Sequence, residues 1–179
     1  MDIQPEPDTK DWTWVLEAKC PECGFDARAL SRADLASVAR DLGDRWVAAM
    51  SEIDAPRQRP APAVWSPLEY SCHVRDVFEL FGDRLQLMLD EDDPTFENWD
   101  QDETALADDY AGQDPDVVTA DLAASAEEFA AIVDTVADDA WERPGLRTNG
   151  SRFTVDSLVR YQLHDVVHHL TDITGVRWG

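Results

Sequence analysis

Residues 66–89 read SPLEYSCHVRDVFELFGDRLQLML. Ser66 offers an N-cap hydroxyl, Pro67 takes the first helical position, and Glu69 stands where it can return a hydrogen bond to the cap. Val74, Val77, Phe78, Phe81, Leu85 and Met88 then recur at helical spacing. The stretch therefore predicts a long amphipathic helix whose apolar stripe must be covered by other elements.

Three further segments carry the same pattern. Leu35, Val38, Leu42, Trp46, Ala49 and Ile53 follow a start signal at Ser31 and Asp34 and stop before Pro56. Val117, Val118, Leu122, Ala126, Phe129, Ile132 and Val133 follow Asp114-Pro115. Leu158, Tyr161, Leu163, Val167, Leu170 and Ile173 begin near Thr154 and end at Gly175, a residue suited to close a helix. No strand stands out, so the expectation is an all-α four-helix bundle over residues 31–179, preceded by an irregular arm over 1–30 that contains Pro5, Pro7 and Cys-Pro-Glu-Cys-Gly. The acidic stretch from Asp90 to Asp102 reads as a long loop. Trp99 within it serves either as a pocket mouth or as an anchor for the loop.

Composition narrows the function by exclusion. The 179 residues hold 38 Asp+Glu against 15 Lys+Arg, a formal net charge of −23. Nucleic-acid binding and docking on anionic lipid both require clustered cations, so neither is expected. No segment approaches the roughly 20 apolar residues of a membrane span. The start, MDIQPEPDTKDW, has neither the basic nor the apolar region of a signal peptide, which predicts a cytoplasmic protein. Three cysteines are too few, and odd in number, for a disulfide scaffold.

The four histidines are confined to two of the helices: His73 in the second, and His164, His168 and His169 in the last. His164 and His168 share a helix face, and two imidazoles so placed can bind one metal ion. A third ligand must come from elsewhere, and His73 is the remaining histidine outside that helix. Three neutral imidazoles would leave a coordination position open, the pattern of catalytic sites. Packed, hydrogen-bonded histidines are the alternative. His169 is rotated about 100° from the pair and is expected to support it or to face solvent. Asp76 and Asp172 are spaced to orient metal-bound histidines, or are solvated helix charges. A ferritin-like di-iron site is excluded, because no Glu has a His three residues downstream.

Cys20-Pro-Glu-Cys23-Gly is similar to one knuckle of a zinc ribbon, but no second knuckle follows. It reads as a turn with two packed thiols, a dithiol redox pair, or half of a metal site. Cys72 reads as a small core residue.

The lead-in Trp65-Ser66-Pro67, the early His73 and the terminal His164-x-x-x-His168-His169 together resemble the DinB/YfiT-like four-helix-bundle superfamily over roughly residues 31–175. The resemblance implies an up-down-down-up bundle, often a homodimer, with a metal triad at His73, His164 and His168. It also implies a divalent ion (zinc or nickel, with iron as a further option) and a low-molecular-weight thiol such as mycothiol. The corresponding activity is thiol S-transfer to, or isomerisation of, a small electrophile. The thiol and the electrophile would be the partners. Metal-dependent hydrolysis and a non-enzymatic stress or small-ligand-binding role are the competing expectations. The arm with Cys20 and Cys23 lies outside the family pattern.

Overall fold

At Ser66 the side-chain hydroxyl accepts from Glu69 N–H at 3.2 Å, while the Glu69 carboxylate accepts from Ser66 N–H at 2.8 Å. This reciprocal box, with Pro67 as the first helical residue, starts the helix where its sequence says it should. The coordinates are a computed structural model describing residues 11–179; Pro5 and Pro7 lie outside the described residues. The helices are α1 (Leu35–Glu52), α2 (Pro67–Asp90), α3 (Gln101–Ala107), α4 (Pro115–Asp134) and α5 (Val155–Thr174). A small sheet comprises β1 (Thr95–Phe96), β2 (Pro144–Arg147) and β3 (Arg152–Thr154).

Cross-helix contacts give the direction of each long helix. Arg32, just before α1, pairs with Asp156 near the start of α5, and Trp46 Nε1–H donates to Val166 O further along both, so α1 and α5 run parallel. Arg40, early in α1, pairs with Asp134 at the end of α4, so these two are antiparallel. Leu68 and Val118 share a cluster near the starts of α2 and α4, and Phe78 meets Phe129 further along, so these are parallel. His73 faces Asp165 while Phe81 faces Tyr161, which makes α2 and α5 antiparallel. The result is an up-down-down-up four-helix bundle. Trp46, Phe78, Leu85, Phe129, Leu158 and Val159 fill its centre. Gly43 lets α1 and α4 approach closely, since a Cβ there would lie 2.8 Å from the Ala126 Cβ.

Parallel neighbours cannot be joined by a tight turn, so the chain between α2 and α4 must travel back along the bundle. That requirement accounts for the long acidic connection, which is more ordered than the sequence suggested. It holds β1, then α3 capped by Asp100, whose side chain accepts from the N–H groups of Asp102 and Glu103, then a 3-10 turn at Tyr110–Gly112. The sheet was likewise not anticipated. β1 pairs parallel to β2 and β2 antiparallel to β3, around a turn with Gly150 at φ +96°. Strands of two to four residues are too short to show a period of two in the sequence.

The segment before α1 is also more ordered than an irregular arm. It forms 3-10 turns at Thr13–Leu16 and Ala27–Ala29, and Cys20, Cys23, Phe25 and Ala27 join the same core as the helices. Among the described residues no helix is long and apolar enough to cross a membrane.

Candidate metal centres on the last helix

The antiparallel pairing of α2 and α5 brings His73 against Asp165 and His169. His73 Nε2 lies 3.2 Å from Asp165 Oδ1, and His169 Nε2 lies 3.7 Å from the same oxygen. The ligating atoms of these three side chains all fall within 4.8 Å of one another. On its far side His169 Nδ1 is 2.9 Å from Asp172 Oδ2, the carboxylate–histidine arrangement that orients a ligand imidazole. His73 stacks face to face with Trp99, and Tyr70 lies against His169. Burial pushes the His73 pKa below its usual value, which keeps the ring neutral with a lone pair to offer. Burial alone would raise Asp165, but His169 and His73 outweigh it and hold the carboxyl far below its ordinary range. Two imidazoles and a carboxylate are a fitting donor set for a divalent transition ion.

One residue back along α5, His164 and His168 point to a different neighbour. With Cys20 and Cys23 they form a second group, again with all four ligating atoms within 4.8 Å of one another. Cys20 Sγ is 3.8 Å from His168 Nδ1. The ring of Trp12 lies against both imidazoles. Both thiols are fully buried and unlinked. Burial, with Cys20 beside it, pushes the Cys23 thiol up to about 12. Burial also pushes His164 down to about 4.

The expected ligand set of His73, His164 and His168 is thus divided between two groups. His73 joins Asp165 and His169, whereas His164 and His168 join the cysteines. His169, expected to play a supporting part, supplies a donor of its own. Asp172 does orient an imidazole, though that of His169 rather than His168. Asp76 accepts from Tyr110 and Arg75 and makes no hydrogen bond with His73. Asp165 was missed. The signal for it was present, because Asp165 and His169 are also four apart and interleave with His164 and His168.

Both groups border a cavity of about 530 Å³. Its walls include Trp12, Trp65, Trp99, Tyr70 and Tyr161, with Asp165 and His169 also in the lining. Trp99 therefore fills both roles considered for it, since its ring also stacks on His73 of α2 and packs against the core, which anchors the connection. Arg147 is the only arginine or lysine among the described lining residues. Its guanidinium lies over Phe153 and Tyr161.

Comparison with solved structures places this architecture. YfiT from Bacillus subtilis, described as a probable metal-dependent hydrolase with an unusual four-helix-bundle topology, superposes with a TM-score of 0.72 at 17% identity. The match covers 82% of this chain and 89% of YfiT. A mycothiol-dependent maleylpyruvate isomerase superposes with a TM-score of 0.65 at 14% identity over 84% of this chain. A single-site mutant of such an isomerase gives 0.69, at 14% identity over the same 84%. This chain spans only 64% of the isomerase's length in either case. No functionally curated protein shows significant sequence similarity to the chain. The family model of the DinB superfamily matches residues 35–173, from the start of α1 to within one residue of the end of α5, and the chain belongs to that superfamily.

Proposed function

We propose that this protein is a metal-dependent enzyme that joins a low-molecular-weight thiol to a small electrophile, or isomerises such an electrophile, in the cavity beside α5. His73, Asp165 and His169 are the residues proposed to hold the ion. The observation that carries this reading is their convergence, three donors from two helices within 4.8 Å, next to an aromatic-walled cavity that two of them line. A divalent ion held by these three residues would supply the positive charge that favours the thiolate, the nucleophilic form of a thiol reactant.

The rest of the chemistry belongs to the chain. Asp172 holds His169 in one ring orientation, and Trp99 does the same for His73 by stacking. Trp12, Trp65 and Trp99 offer flat apolar surfaces within a largely polar lining and favour a planar, unsaturated or aryl-bearing electrophile. Arg147 supplies a positive charge for an acyl or carboxylate oxygen on either reactant. The description of the isomerase neighbour as mycothiol-dependent supports a thiol as the second reactant. Zinc, nickel and iron all suit two imidazoles and a carboxylate.

Metal-dependent hydrolysis is the second reading, supported by the description of YfiT. One assay separates the two. Metal-loaded protein is offered a panel of enones, epoxides and aryl halides, together with esters and amides, with and without mycothiol, bacillithiol or glutathione. Consumption that requires thiol and is lost in Asp165→Asn is expected. Turnover without thiol would replace the transferase reading with the hydrolytic one. Metal binding with no turnover of either kind would leave a small-ligand-binding bundle.

A further inference from the structure

The second donor group on α5 has no part in that reaction. Two residues separate Cys20 from Cys23 and three separate His164 from His168, the ligand spacings of a structural Cys2His2 zinc site. All four side chains are buried, and their ligating atoms lie within 4.8 Å of one another. The turn carrying the thiols is built as a knuckle. Cys20 N–H donates to Phe25 O at 2.8 Å, and Gly24 N–H donates to Cys20 O at 2.9 Å. Gly24 takes φ +84°, which a side chain would strain, and a Cβ there would come within 2.7 Å of Trp178 O. The C-terminal segment holds the knuckle from outside, with Trp178 N–H donating to Cys23 O.

A separate observation points to a ligand. His164 is 3% exposed, and its Nε2 is buried with no hydrogen-bond partner. Buried polar atoms are rarely left so. An orphaned imidazole nitrogen beside two unlinked thiols and a second imidazole marks a coordination site rather than hydrophobic packing.

We propose that Cys20, Cys23, His164 and His168 form a closed, four-coordinate structural zinc site that fastens the N-terminal segment to α5. Both thiols lose their protons to solvent on binding, and the two thiolate charges balance those of the ion, so the buried site is neutral overall. Two sulfurs and two imidazoles suit tetrahedral zinc, and no coordination position is left for a substrate. His168 Nε2, on the other side of the ring from the thiol, is 3.5 Å from Glu22 Oε2, which can accept its N–H. The fastened segment carries Trp12, a wall of the cavity. Because His164 and His168 alternate along α5 with Asp165 and His169, the site also sets the rotation of the helix that presents the other donors.

Cobalt(II) added to the reduced, metal-free full chain tests this. The wild type is expected to show thiolate-to-cobalt charge-transfer absorption and the intense visible bands of a tetrahedral ion. The Cys20→Ser/Cys23→Ser double variant loses both, together with one bound ion per chain. Asp165→Asn keeps both. The bands depend on the cysteines whether or not His73, Asp165 and His169 hold an ion, so the two readings fail separately. Should the double variant not fold, the wild type decides: mercurial titration of its thiols should release one zinc per chain to a chromogenic chelator, and bound zinc should shield Cys20 and Cys23 from alkylation. Absence of charge-transfer bands in the wild type, or their survival in the folded double variant, overturns the proposal. So does a Cys20–Cys23 disulfide that forms in the zinc-loaded protein, which would mark a redox pair.

Discussion

Helix α5 presents two interleaved pairs of side chains able to ligate a metal, and their partners differ in kind. His164 and His168 meet two buried thiols from the segment before the bundle. Asp165 and His169, about 100° around the helix, meet a single histidine from α2. Four soft and borderline donors enclose whatever they bind, whereas three donors beside a cavity leave room for a reactant. One helix therefore carries a set suited to holding and a set suited to reacting, and a shift of one residue separates them. Which pair does which is decided by the element that each face packs against.

Asp165→Asn should show the largest effect. Turnover is expected to fall by a hundredfold or more, because even groups that only orient a metal ligand are worth about 10–100-fold. Steady-state rates and elemental analysis would check this, and unchanged turnover would break the assignment of reaction to this face. Removing metal from the reduced wild type with a chelator comes next. Its unfolding midpoint should drop by about 5–10 °C, at roughly 2–4 °C per kcal/mol for a chain of this length. Proteases should then cut first within residues 11–30. If Asp165→Asn lost as much stability on chelation as the wild type, the holding role would belong to the cysteine-bearing face, as proposed; if it lost none, the division of labour would be reversed.

Asp172→Ala removes the carboxylate behind His169. It should weaken metal affinity or activity about 10–100-fold at the cavity and leave cobalt–thiolate absorption untouched. Calorimetric titration would show whether the effect stays on one face.

Further away, the cap that places His73 depends on Glu69. Burial pushes its carboxyl up, but Arg59 and the Ser66 N–H outweigh this and hold it below the ordinary value of 4.5. This stabilisation is present in full above that value and is lost as pH falls through the lower folded-state value. Urea midpoints of wild type and Glu69→Gln should therefore converge in acid; a gap independent of pH would remove the ion pair as its origin.

The smallest effect concerns Gln162, buried in α5 with neither amide atom bonded. Gln162→Met should be neutral or stabilising by about 1 kcal/mol in a denaturant melt, since it removes unpaired polar atoms at similar volume. A marked loss would mean that this amide has a partner on binding.

Much of the bundle was legible beforehand. Ser66-Pro67-Leu68-Glu69, Asp114-Pro115 and Gly175 are local signals, and each of them bounds a helix as expected. The candidate site was legible in its residue types and its helices, but not in its grouping. His164 and His168 stand out because the chain has only four histidines; Asp165 does not, because acidic residues are abundant in it. The cysteine knuckle reads as packed thiols, a redox pair or half of a metal site, and the structure brings His164 and His168 beside it while His73 lies with Asp165 and His169.

The sequence by itself determined where the helices start and stop, which residues line one side of each, and that two knuckle thiols and four histidines were present. These follow from contacts between residues a few positions apart. Tertiary structure alone decided that α2 and α4 run parallel, that three short strands pair, and that His164 and His168 lie beside Cys20 and Cys23. Helical periodicity gives the angle between two side chains around their own axis. It does not give the rotation of that axis against its neighbours, which the packing of α5 on α1, α2 and the N-terminal segment sets.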